Sequence, residues 1–265
     1  MNEHIGLALL LTLLAGLSTG IGSAIAYFIK KPKIVYLSFA LGLSAGVMIY
    51  ISFMEMLPVA IADLSEVSGQ LWGEIWAIVA FFVGIGVIAL IDLLVPEHEN
   101  PHELAGIAEP TAHPDSAKLM RTGLMTALAI GIHNFPEGLA TFAATLGDVK
   151  LGVFIAFAIA IHNIPEGIAV SVPIFYATSN KNKAFFYSFL SGLSEPVGAI
   201  IGYLILMPFL SPVLLAALLA FIAGIMIYIS LDELLPMAHL YGHGHLVIAG
   251  IVTGMLIMAI SLLML

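Results

Sequence analysis

Cysteine is absent from the 265-residue chain, which excludes disulfides, thiolate-held zinc and cysteine nucleophiles and leaves the redox compartment unread. Charge is the second scarcity. Eight Lys and Arg and 17 Asp and Glu make 9% of the residues, against roughly 25% in soluble domains. So few charges cannot cover a water-facing surface, and eight cations cannot neutralise a phosphate track. A soluble globular enzyme, a disordered chain and a nucleic-acid binder are therefore excluded. The chain is instead 61% hydrophobic with a mean hydropathy of +1.10, a composition that belongs in a lipid bilayer. Its net charge of −9 then poses the next question, where the surplus acid sits.

A bilayer span needs about 20 mostly apolar residues, and eight stretches qualify: 5–29, 34–54, 75–91, 122–147, 151–176, 184–207, 213–238 and 246–265. Their lengths fit helices and not the roughly 10-residue alternating strands of a membrane barrel. The expected fold is an all-α polytopic membrane protein, one domain over residues 1–265 with eight transmembrane helices. The first span lacks a basic segment before it, and Lys30, Lys31 and Lys33 follow it, so it reads as a retained helix and not a signal peptide. Counting loops, seven of the eight cations share one face and Lys150 lies on the other. The positive-inside rule makes that face cytoplasmic, which puts both termini outside and the Pro- and acid-rich loop 96–117, with His98, His102 and His113, in the cytoplasm.

Internal repeats organise the spans. AGVMIYISFMEMLPVA from Ala45 matches AGIMIYISLDELLPMA from Ala223 at 11 of 16 positions, and GLSTGIGSAIAYFI from Gly16 matches GLSEPVGAIIGYLI from Gly192 at 7 of 14. Helices 1 and 2 thus recur as helices 6 and 7, five spans later, so the two copies cross the membrane in opposite directions. Helices 1–3 and 6–8 form an inverted repeat, a construction of secondary transporters whose substrate site lies near the midplane. Between them, helices 4 and 5 form a central pair: AIGIHNFPEGLATF from Ala129 and AIAIHNIPEGIAVS from Ala158 share 9 of 14 residues.

In each HNxPEG unit, His and Glu stand four residues apart on one helix face, about 5–6 Å apart at Cβ. Pro at the fourth position cannot donate, so the carbonyls of Ile132 and Ile161 lose their helical bonds and need another partner in lipid. Glu137, Glu166 and Glu195 all fall near the middle of their spans, and no Lys or Arg lies inside any span. A carboxylate at that depth is costly unless paired, so the missing positive charge comes from protons or a bound cation. Imidazole, carboxylate and amide oxygen without thiolate suit zinc, iron(II), manganese or cobalt. His133, Glu137, His162 and Glu166 form one four-ligand set, with Asn134, Asn163 and Glu195 able to build an adjoining oxygen-richer site. The competing reading makes each His a satisfied buried residue and each Glu a protonated one. The spacing is not the HExxH of zinc peptidases.

Glu55 and its repeat mate Glu233, with Asp232, fall in the outer and inner halves of the membrane. They read either as cation relays between the centre and each face or as depth-fixing residues beside Pro58 and Pro236. Asp92, Glu74, Trp72 and Trp76 read as interfacial anchors. His239, His243 and His245, like His98, His102 and His113, read either as solvated loop residues or as groups that capture or sense metal. The dispersed Met residues read as packing and not as a copper path.

The paired HNFPEG and HNIPEG helices, the MEMLP and DELLP segments, SGLSEP and the eight-span layout resemble the ZIP (Zrt/Irt-like) metal transporters, most closely their bacterial zinc permeases. The resemblance spans essentially the whole chain. It implies uptake of zinc and related divalent cations (iron, manganese, cobalt, cadmium) into the cytoplasm, a binuclear site on helices 4 and 5, an inner or plasma membrane location and homodimerisation. It places metal ligands at His133, Asn134, Glu137, His162, Asn163, Glu166 and Glu195. No catalytic residue and no resident cofactor are expected, since zinc or another divalent ion is the cargo. The mechanism expected is alternating access, with helices 4 and 5 moving against the inverted-repeat scaffold. A divalent-cation channel using the same site and an intramembrane metal-dependent hydrolase are the alternatives.

Overall fold

A computed structural model describes residues 4–28, 35–94, 116–209, 211–240 and 244–263, and every regular element among them is helical. The reason is solvent: in lipid each backbone N–H and C=O must be satisfied within its own segment. The helices are α1 (Ile5–Phe28), α2 (Val35–Ile51), α3 (Leu57–Ser68), α4 (Gln70–Leu94), α5 (Ser116–Gly147), α6 (Val149–Thr178), α7 (Lys181–Gly192), α8 (Ser194–Leu206), α9 (Pro212–Ile229), α10 (Leu235–Leu240) and α11 (Gly244–Leu263). Seven spans are long and apolar enough to cross a bilayer, and the 32-residue α5 is long enough to be the eighth. Most of loop 96–117, including His98, His102 and His113, lies outside the described residues, as does His243.

Polar residues set the helix ends. Asp148, Asn180 and Ser211 cap α6, α7 and α9 by accepting from the N–H groups of Leu151, Lys183 and Leu214 at 3.0, 3.1 and 3.1 Å, with Pro212 at the first position of α9, where its missing N–H costs nothing. Gly69, at φ +81°, makes the turn between α3 and α4 that a side chain would strain.

The inverted repeat is visible in the local structure. Between α2 and α3 the helix widens to a π-turn over Ser52–Met56, and between α9 and α10 it does so again over Ser230–Leu234. The two π-turns occupy equivalent positions of the repeat and carry its acids, Glu55 in the first and Asp232 and Glu233 in the second. An inserted residue of this kind re-aims side chains and often marks a functional position.

Helix partners are chosen by glycine, because lipid removes the hydrophobic advantage of apolar faces and close backbone approach takes its place. Gly22 of α1 abuts the Ile164 carbonyl of α6, and Gly167 of α6 abuts that of Thr19 on α1; Gly198 of α8 abuts Phe135 of α5, and Gly138 of α5 abuts Glu195 of α8. These two pairs are repeat copies of one another. A second set joins α2 to α11 through Gly42, Gly46, Gly250 and Gly254, and α4 to α9 through Gly84 and Gly224. These contacts key α1, α5, α6, α7 and α8 into one bundle and join α2 to α11 and α4 to α9; with α3 and α10, the latter two pairs make up a second, less tightly keyed bundle. Buried Ala45, Met48, Ala140, Ala144, Ala158 and Ala216 belong to the apolar core they share. This refines the expected arrangement: the central α5/α6 pair carries one helix of each repeat half, α1 and α8, along with it.

Candidate metal centre

The two HNxPEG units lie on adjacent, tightly packed helices, α5 and α6. Pro136 and Pro165 sit inside continuous helix. Directly after each Glu, the glycine that ends the hexapeptide lets a neighbouring backbone in: Gly138 admits α8 at Glu195, and Gly167 admits α1 at Thr19. The motif thus serves two tasks, presenting ligands on one face and admitting the helices that complete the site on the other.

Asn134, Glu137, His162, Asn163, Glu166 and Glu195 are each 0% exposed, so water at the protein surface does not solvate them. Nε2 of His162 lies 3.3 Å from both carboxylate oxygens of Glu137, joining α6 to α5. The Asn163 amide donates to the Ala15 carbonyl at 3.0 Å and to Glu195 Oε1, joining α6 to α1 and α8. The Asn134 amide donates to the Ser191 carbonyl at 3.3 Å. With their nitrogens so engaged, the side-chain oxygens of Asn134 and Asn163 are buried with no hydrogen-bond partner among the described residues. A buried amide oxygen in that condition carries the full cost of lost hydration, and a hard or borderline cation is a chemically suitable partner.

Six of the seven expected ligands are therefore gathered in one buried region. The seventh, His133, lies in α5 with its side chain outside the described residues. The gathered side chains form pairs and not a closed cage: no three His, Asp or Glu groups among the described residues converge closely enough to hold one ion. Glu195 comes in on α8, two residues past Leu193, where the helix breaks briefly between α7 and α8.

Sequence reasoning missed one contributor. The Ser44 hydroxyl of α2 lies 3.3 Å from Glu166 Oε1 and 3.4 Å from the His162 carbonyl oxygen. Nothing in its neighbourhood in sequence, ALGLSAGV, distinguishes it from a small packing residue.

The expected pathway acids sit at the two π-turns. Half-buried Glu55 lines a cavity of about 740 Å³ with Asp63, Glu66, Asp148 and Lys150 at its polar rim and Ala144, Phe154 and Leu219 among its apolar walls. It opens between the two bundles on the side where α5 meets α6. Asp232 and Glu233 are half-buried at the second π-turn, where the Tyr228 hydroxyl donates to Asp92 at 3.4 Å and also meets Asp232. Asp92 is thus tied to the second π-turn and is more than an anchor at a helix end. His239 is exposed at the end of α10, its Nδ1 2.8 Å from the Leu235 carbonyl, and His245 is exposed in the first turn of α11.

The chain is similar to known proteins over its whole length. A family model described as ZIP Zinc transporter matches residues 94–262. A zinc transporter ZupT of Streptococcus mutans is 56% identical over 264 residues, covering 100% of this chain and 99% of that protein. The zinc transporters ZupT of Akkermansia muciniphila and Clostridium perfringens are 57% and 55% identical, covering 98% and 99% of this chain and 98% and 97% of theirs.

Proposed function

The chain belongs to the ZIP family of zinc transporters, and on that premise we propose that it takes up zinc by alternating access through the buried His/Asn/Glu cluster. It is a multi-pass membrane transporter and not an enzyme. The observation that carries the reading is the fully buried Glu137–His162 pair, set among Glu166, Glu195 and two amide oxygens in the middle of the helical bundle. A divalent cation supplies the positive charge that buried carboxylates require.

In this reading His133, Asn134, Glu137, His162, Asn163, Glu166 and Glu195 hold the cargo, as two ions with Glu137 and Glu166 bridging. Zinc is the principal substrate, and iron, manganese, cobalt and cadmium share the route because the donor set is not selective by type. The bundle containing α5 and α6 moves against the other as a rigid body; keyed glycine contacts within each bundle and Ala-rich packing between them support that division. Glu55 and the acid-rimmed cavity receive cations from outside, and Asp232 and Glu233 lead them on to the cytoplasm. Seven of eight Lys and Arg lie near the span ends of one side, which supports a cytoplasmic position for that side with both termini outside. An inner membrane location and a homodimer complete the reading, and membership of the family supports both.

A metal-by-metal flux assay in proteoliposomes with internal pH recorded tests this reading. Saturable, strongly temperature-dependent zinc uptake supports it, whereas rapid, electrogenic and weakly saturating flux identifies a channel.

A further inference from the structure

The boundary between the two bundles is mostly apolar, so it favours one relative position over another only weakly. Ser44 is an exception. It lies on α2 between Gly42 and Gly46, which key that helix to α11 in its own bundle. Its fully buried hydroxyl instead reaches α6 of the other bundle, 3.3 Å from Glu166 Oε1 and 3.4 Å from the His162 carbonyl oxygen. The other members of this polar network, from Ala15 and Asn134 to Ser191 and Glu195, belong to the α1/α5/α6/α7/α8 bundle.

We propose that Ser44 is a positioning residue for transport, whose hydroxyl latches the cargo-free α5/α6 unit against α2 and is released when a divalent cation binds Glu166. The inference rests on the alternating-access reading above. A hydrogen bond is lost once donor and acceptor separate beyond about 3.5 Å, while Ala and Ile surfaces re-form contacts after sliding by several ångströms. Relative motion of the bundles therefore breaks the Ser44 bonds early. The acceptor is also a cargo ligand, so a cation that engages the Glu166 carboxylate and turns it toward Glu137 competes with Ser44 for it. The coupling is reciprocal: to the extent that cargo weakens the latch, the latch weakens cargo binding. At 3.3 Å the contact is longer than an ordinary O–H···O bond, so it shifts the equilibrium by about threefold to tenfold.

The absence of cysteine makes the test direct. Val59→Cys introduces a single thiol at a half-buried position in the wall of the 740 Å³ cavity, and its rate of modification by a membrane-impermeant maleimide reports how often that cavity is open. With Ser44 present, labelling is expected to be fast without zinc and to slow several-fold when zinc is added. Ser44→Ala is expected to lower the zinc-free rate toward the zinc-bound one and to cut the zinc response about threefold or more. Ser44→Thr, which keeps the hydroxyl, is expected to restore both. If Ser44→Ala is not recovered folded, Ser44→Gly removes the same oxygen. Equal zinc-free rates and equal zinc responses with and without the hydroxyl, in proteins that still take up zinc, overturn the latch and leave the transport reading intact. If the Val59→Cys parent, with Ser44 intact, neither takes up zinc nor changes its labelling with zinc, both fall.

Discussion

Replacing Gly138 by Ala tests whether the glycine after Glu137 sets the distance between α5 and α8. A Cβ built there lies 2.7 Å from Cα of Glu195 and closer still to its carbonyl oxygen, where ordinary contact begins at 3.4 Å. The obstructing atoms are backbone and cannot rotate away, so the helices must part by at least the about 0.7 Å that separates those two values. Metal sites tolerate ligand displacements of about 0.2 Å. The perturbation acts on the residue beside one carboxylate and on the backbone of another, so it separates Glu137 from Glu195 directly. Overpacking of this kind costs about 1–3 kcal/mol, and zinc uptake at subsaturating concentration is expected to fall at least about tenfold. Gly198→Ala, the reciprocal glycine of the same α5–α8 contact, meets the Phe135 backbone at 2.9–3.0 Å and is expected to behave alike. Gly86→Ala meets nothing within 4 Å and serves as the control, neutral or stabilising by up to about 1 kcal/mol. Proteoliposome uptake and thermal unfolding in detergent, measured on all three, decide the matter. Wild-type uptake and melting in Gly138→Ala would refute the claim that α5 and α8 are keyed by direct backbone contact at the site.

Three further outcomes follow from the same geometry. Asp148→Ala removes the cap of α6 and is expected to destabilise the protein by about 1 kcal/mol in thermal unfolding; Asp148→Asn, which can still accept from Leu151, is not. Neutralising the cavity rim with Asp63→Asn and Glu66→Gln is expected to raise the apparent KM for zinc several-fold at low ionic strength. The difference should vanish near 1 M salt, where the screening length is about 3 Å; an effect independent of salt would argue against electrostatic capture. Deleting Phe53 closes the first π-turn and rotates Glu55 by about 100° relative to α2, with loss of uptake but not of membrane insertion; unchanged uptake would remove Glu55 from the pathway.

The spans and the repeat were legible in the sequence because both are written in one dimension. Span count follows from apolar run length, and 11 identities in 16 between Ala45 and Ala223 survive any packing. The HNxPEG units were legible because their His and Glu share a helix face whatever surrounds them. Partner choice was not legible. Helices that are apolar on every side carry no stripe to say which neighbour they meet, so the pairing of α1 with α6 and α5 with α8 emerges only from where Gly22, Gly138, Gly167 and Gly198 meet facing carbonyls. The π-turns escaped for a similar reason, since SFMEM and SLDEL carry no proline or glycine to announce an extra residue. Ser44 escaped because a lone serine among small residues has no pattern, and only the crossing of α2 over α6 brings it to Glu166.

The central claim is that cargo passes through the cluster holding Glu137 and His162. Initial rates of radioactive zinc uptake into proteoliposomes containing the wild type, Glu137→Ala or His162→Ala, matched for reconstituted protein, test it most directly. The account predicts saturable uptake in the wild type and its loss in both variants. Wild-type rates in both variants would contradict it and move the pathway elsewhere in the fold.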